Sequence, residues 1–169
     1  MLDEYSLWLE IEDCISLQLS EVIKNIAIEA DSRPFKPHIT LIGGIEPRTK
    51  NAEDVLDHIS SSTKPFKLKL GKVMTEALHY KSIFLPCEKD DKLISLNNKC
   101  QSIFNKSYEY KPHLSLLYSD ISQNNKIKII EKYSCKKFED LVVKIVSISL
   151  CYARDDVDNW KILKRVTLK

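Results

Sequence analysis

Lys36-Pro37-His38-Ile39-Thr40-Leu41-Ile42 and Lys111-Pro112-His113-Leu114-Ser115-Leu116-Leu117 are two versions of one segment. Lysine, proline, histidine and one leucine recur in register, and the other three positions change conservatively. Side chains two apart on a strand share a face. His38 therefore goes with Thr40, and His113 with Ser115, while Ile39 and Leu41, or Leu114 and Leu116, line the reverse face. The apolar face packs on helices, and the polar face must meet water, a partner or a ligand. Each proline opens its strand, where a missing N–H costs least, and keeps the preceding lysine extended.

Working outward, each copy follows a helical pattern. Leu19, Val22, Ile23 and Ile26 form a core stripe in a helix from Ile15 to about Ala30, with Ser16 as its cap. Leu93, Ile94, Leu96, Cys100 and Ile103 mark a second helix, from Asp91 to about Phe104. Two more are expected, from Asn51 to Ser61 and from Ser122 to Tyr133, the latter with Ile127, Ile129 and Ile130. Strands are expected over Tyr5 to Glu12, His38 to Ile42, Phe66 to Leu70, Tyr80 to Pro86 and His113 to Leu117. Three more close the chain: Phe138 to Val146, Ile148 to Ala153 and Trp160 to Leu168. This is a single α+β domain over residues 1–169, made of two similar halves.

A lone His-x-Thr on a strand is usually a structural histidine. Two copies on equivalent strands bring two imidazoles and two hydroxyls to one groove. One histidine can be neutral while the other is protonated. The first can take a proton from water and the second can give one to a leaving oxygen. The hydroxyls can bind phosphoryl oxygens that carry charge in the transition state. That set suits the opening of a cyclic phosphodiester without a metal or other cofactor.

Composition bounds the rest. The 169 residues are 43% hydrophobic and 30% charged, with a formal charge of only +2. That balance fits a soluble domain and a small anionic substrate, and argues against stable coating of long nucleic acid. No apolar run is long enough to span a bilayer. The N-terminus is acidic where a secretory signal is basic, so a cytoplasmic or nuclear location is expected. The five cysteines include no CxxC pair, which argues against structural zinc; they read as reduced, partly buried thiols. No apolar stripe is left over to demand a second copy, so a monomer is expected.

The Pro-His-Ile-Thr-Leu and Pro-His-Leu-Ser-Leu motifs resemble those of the 2H phosphoesterase superfamily. Lys111 to Tyr118 looks especially like the cyclic nucleotide phosphodiesterases of plants and yeast. Tyr5-Ser6-Leu7-Trp8, Ser82-Ile83-Phe84-Leu85 and Trp160 extend the likeness over nearly the whole chain. The resemblance implies a bilobal fold of two antiparallel sheets backed by helices, related by a pseudo-two-fold axis. It implies hydrolysis of 2′,3′-cyclic nucleotides to 2′-phosphates, and of ADP-ribose 1″,2″-cyclic phosphate, a by-product of tRNA splicing. His113 would activate water and His38 would protonate the leaving oxygen. Thr40, Ser115 and Tyr118 would hold the phosphate, and Tyr80 and Lys81 are candidates for substrate contact. The alternatives are a 2H enzyme acting on 2′,5′-oligoadenylate or RNA ends, and a non-catalytic nucleotide-binding module.

Other residues have plainer readings. His58 is a surface residue and His79 structural. Lys36 and Lys111 either attract phosphate or are simply solvated. Trp8 and Trp160 read as core, and Tyr80 as either a base-stacking residue or an exposed strand tyrosine. The Asp155-Asp156-Val157-Asp158-Asn159 run lacks the pattern of a calcium loop and reads as a hairpin turn.

Overall fold

The computed structural model describes residues 4–46, 52–154 and 156–169. Its strands are β1 (Tyr5–Ile11), β2 (Ile39–Ile45), β3 (Phe66–Lys69), β4 (Met74–Thr75), β5 (Ile83–Pro86), β6 (His113–Leu117), β7 (Val142–Tyr152) and β8 (Lys161–Thr167). Its α-helices are α1 (Asp13–Glu29), α2 (Ala52–Ser61), α3 (Asp91–Ile103) and α4 (Gln123–Lys132). All strand pairs are antiparallel, so the α+β class holds.

The first half of the sheet is β3-β7-β1-β2, with β8 also on β7, and the second is β6-β5-β4. They meet at one residue pair, Ile39 opposite Leu114, so the ladder runs through the junction instead of breaking into two separate sheets. Beyond that pair, β2 carbonyls turn to other donors. The Tyr110 hydroxyl donates to Thr40 O at 2.8 Å, and the fully buried Asn97 of α3 donates to Leu41 O at 2.7 Å. A buried carbonyl without a ladder partner needs such a donor, and these two allow the lobes to part.

The helices cross between lobes. α1, which leads into β2, packs on β6; α3 packs on β2 and leads towards β6. Ile39, Leu41, Leu114 and Leu116 are fully buried beneath them, as the two-residue period requires. The stripe of α1 is also as expected, with Leu19, Val22, Ile23 and Ile26 buried.

Several boundaries differ from expectation. α1 begins at Asp13, so Ser16 lies inside it and is no cap. The expected strand from Tyr80 is a 3-10 turn over His79–Lys81, and β5 starts at Ile83; Leu78 and Tyr80 are exposed, so no buried face holds that stretch extended. In α4, Ile127 faces solvent and Lys126 is buried, its ammonium donating to Glu76 O at 2.6 Å. β2 continues through Gly43 and Gly44, the latter at φ +64°, which glycine adopts at no steric cost. Asn51, the expected start of α2, lies outside the described residues. So does Asp155, although the rest of its acidic run forms the β7–β8 hairpin with a 3-10 turn at Val157–Asn159.

The two expected strands around residue 147 are a single eleven-residue β7. Glu10 stands opposite Ser147 but Ile11 opposite Ile145, so Val146 is an extra residue, a β-bulge. Before it, Val143 and Ile145 face the core; after it, Ile148 and Leu150 do, and Ser147 and Ser149 turn to the other face. One strand thereby serves an apolar layer along its whole length and a polar surface along half of it.

Candidate active site

The junction register assembles the site. With Ile39 opposite Leu114 in an antiparallel pair, the next positions bring His38 across from Ser115 and Thr40 across from His113. All four lie on the face opposite the buried aliphatic layer. Each imidazole is thereby set opposite the other motif's hydroxyl.

Both rings are held alike. His38 Nδ1 lies 2.7 Å from Lys36 O, and His113 Nδ1 lies 2.9 Å from Lys111 O. A carbonyl only accepts, so Nδ1 carries the proton in each and Nε2 is left with its lone pair for chemistry. The lysine-proline-histidine spacing makes this local, since the acceptor lies two residues before the ring.

Their surroundings differ. His38 is buried, stacked on Trp8 with centroids 3.8 Å apart, and edged by Phe35 and Trp160. Burial pushes its pKa down to about 4, aided by repulsion from His113. His113 is half-buried against the edge of Phe84, and its pKa is lowered too, chiefly by burial and also by the Lys81 ammonium. Both imidazoles are therefore neutral at neutral pH. The mutual repulsion registers their closeness: a proton on one discourages a proton on the other.

Tyr118 follows β6, is buried, stacks on Phe35 at 3.9 Å and hydrogen-bonds with Ser115. Burial raises the pKa of its phenol, so it remains a hydrogen-bond donor. Ser115 Oγ stands 3.5 Å from Tyr80 O, which ties the 3-10 turn to the groove. Lys81 donates to Glu76 at 2.7 Å and lies 4.4 Å over the Phe84 ring. The structure therefore gathers His38, Thr40, His113, Ser115 and Tyr118, with Lys81 beside His113. The side chain of Tyr80 reaches the set only through Tyr118, which it meets edge-on at 5.5 Å.

Trp8 and Trp160 are not plain core, because both contact His38. The signal was in the two-residue period, for Trp8 shares a strand face with Ser6 and Glu10. Glu10 is also new. Buried on the groove face, it receives Lys36 Nζ at 2.8 Å, Arg165 Nε at 2.9 Å and the Ser149 hydroxyl. Burial alone would raise its pKa, but the hydrogen bonds and the two cations bring it below the usual carboxylate value. Lys36 is thus engaged in an ion pair, whereas Lys111 meets only the exposed Glu109. His79 forms a 2.8 Å pair with Asp120 at the groove's mouth.

A bilobal α+β fold with two inward-facing His-x-Thr/Ser strands defines a 2H phosphoesterase. The chain belongs to the family of cyclic phosphodiesterase-like proteins, whose model matches residues 4–168, and it is a hydrolase of that class. A cyclic phosphodiesterase of Arabidopsis thaliana is 22% identical over 88% of this chain and 84% of its own. A 2′,3′-cyclic-nucleotide 3′-phosphodiesterase of Yarrowia lipolytica is 28% identical over 69% of this chain and 73% of its own. Among solved structures, the apo form of E. coli LigT superposes with a TM-score of 0.64 at 18% identity, covering 99% of this chain and 98% of LigT. LigT has also been solved with 3′-AMP, at a TM-score of 0.61 and 16% identity, covering 99% of both chains.

Proposed function

We propose that this enzyme hydrolyses 2′,3′-cyclic nucleotides to 2′-phosphates, and that it also opens ADP-ribose 1″,2″-cyclic phosphate. The observation that carries the reading is the crossed register at Ile39 and Leu114, which sets two histidines, each held through Nδ1, opposite the hydroxyl of the other motif. A cyclic phosphate seated there puts His113 Nε2 on the side of the attacking water and His38 Nε2 on the side of the departing 3′ oxygen. His113 takes a proton from water as its oxygen bonds to phosphorus. The P–O3′ bond breaks, and His38 gives its proton to O3′. Thr40, Ser115 and Tyr118 donate to the non-bridging oxygens as charge gathers there. The buried His38 acquires its proton only when the anionic phosphate is bound, since a nearby negative charge opposes the effect of burial. Lys81 adds positive charge on the His113 side and favours the neutral form that a base requires.

The test is purified protein with 2′,3′-cyclic AMP and excess chelator, with product analysis. The expected product is adenosine 2′-phosphate, at a rate that falls by on the order of a hundred-fold or more in His38→Ala and in His113→Ala. Turnover that survives either change, or release of the 3′-phosphate, would overturn the assignment. The relative from Yarrowia lipolytica, named for a 2′,3′-cyclic nucleotide substrate, supports the choice. The site is the same one that an oligonucleotide end would need, and a substrate panel separates the two. Five thiols without a disulfide fit a reducing compartment, the cytoplasm.

A further inference from the structure

We propose that the groove carries a second anion site beside His38, which takes a second phosphate of the same substrate molecule. It rests on the reading above and extends it to substrate class. Trp8 is the shared wall: it stacks on His38 and also lines a cavity of about 360 Å³ with Trp160, Lys36 and Lys161.

The charge of this corner is built from beneath. Glu10, buried and ionised, is shared by two cations, Lys36 and Arg165. One carboxylate and two cations leave a surplus positive charge, and Lys161, which has no partner among the described residues, adds another. Arg165 uses Nε on Glu10 and on Ser147 Oγ at 3.0 Å, and the rest of its guanidinium is on a half-exposed side chain. The Trp160 indole N–H is buried and lacks an acceptor. Unspent donors beside surplus positive charge are what a phosphate requires.

Position fixes whose phosphate this is. Continuing the β1–β2 register from Leu9 opposite Ile39 puts Glu10 across from His38, one strand spacing of about 5 Å from it. A group held there is joined to the reacting phosphate through a single ribose. The cavity beside Tyr118 and His79 has the opposite balance, with Asp31, Asp120 and Asp156 against Arg33 in its walls, and is less suited to a second phosphate. The 360 Å³ exceeds what one phosphate fills, so a phosphodiester and its continuation also fit.

The experiment reads binding without turnover. Adenosine 2′-phosphate, adenosine 2′,5′-bisphosphate and a dinucleotide ending in the same 2′-phosphate are titrated calorimetrically into the full chain at low salt. The bisphosphate is expected to bind about tenfold tighter than the monophosphate, with the advantage shrinking as salt rises. Lys161→Glu, and separately Arg165→Gln, should abolish that ratio. An advantage shared by the dinucleotide assigns the site to an internucleotide phosphate, and one confined to the bisphosphate assigns it to a terminal phosphate; either supports the site. Equal affinities for all three, or an advantage that persists in both variants, overturns it. Failure of hydrolysis would instead count against the catalytic reading, and this measurement is independent of it.

Discussion

An imidazole enclosed by Trp8, Phe35 and Trp160 resists its own proton, and the cost is visible as a dependence of stability on pH. His38 has a folded-state pKa near 4, against an ordinary value of 6.5. Between those values the unfolded chain binds a proton that the folded protein refuses, so its contribution is complete above pH 6.5 and is lost as pH falls towards 4. Thermal unfolding of the wild type should lose about 3 kcal/mol from this residue across that window, and His38→Gln should flatten the profile. An unchanged profile in the variant would mean that the ring is solvated. For the hydroxyls, Thr40→Ala should lower kcat by on the order of a hundred-fold while moving KM little, since its bond strengthens only as charge develops. The histidines and hydroxyls were readable because their spacing repeats. Glu10 was not, because its meaning depends on Lys36 and Arg165, which lie 26 and 155 positions away.

Two irregularities let the elements do what regular strands could not. The bulge at Val146 changes which face of β7 is apolar, and hence brings Ser147 and Ser149 under Glu10. Deleting Val146 would leave Ile145 opposite Ile11 and Ser147 opposite Glu10 in one regular alternation, with Ile148 and Leu150 still in the core; folded protein is expected, read by circular dichroism, and an unfolded variant would show that the bulge is needed for more than register. At Gly44 the backbone has φ +64°, and an added Cβ would come 3.2 Å from Lys106 Nζ. Gly44→Ala should therefore cost roughly 1 kcal/mol or more in denaturant unfolding, chiefly from the left-handed backbone, as the lysine tip can move. The four helices were legible because a 3.6-residue apolar period is local. The 3-10 turn at Tyr80 reads as strand in the sequence because the apolar run Ile83–Pro86 beyond it does form β5, and nothing in the preceding residues marks where extension begins.

The two lobes share little ladder, a single pair at Ile39 and Leu114, yet each sends a helix under the other's strand. That exchange couples them more than the sheet does. We expect one calorimetric transition with matching calorimetric and van't Hoff enthalpies; two separable transitions would show that the lobes are independent. Leu114→Ala, at a fully buried position on the junction, should cost about 2–5 kcal/mol. No described helix is long and apolar enough to cross a membrane.

The sequence alone determined the α+β class, the two strand openings and the polarity of their faces, because periods of 2 and 3.6 are written in neighbouring residues. Only the tertiary structure decided that Ile39 pairs with Leu114, the register that sets His38 opposite Ser115 and His113 opposite Thr40. Only it could place Trp8 against an imidazole and Glu10 between two cations. Those outcomes depend on strand register and on a bulge, which are settled by pairing between segments far apart in the chain and leave no periodic trace in either one.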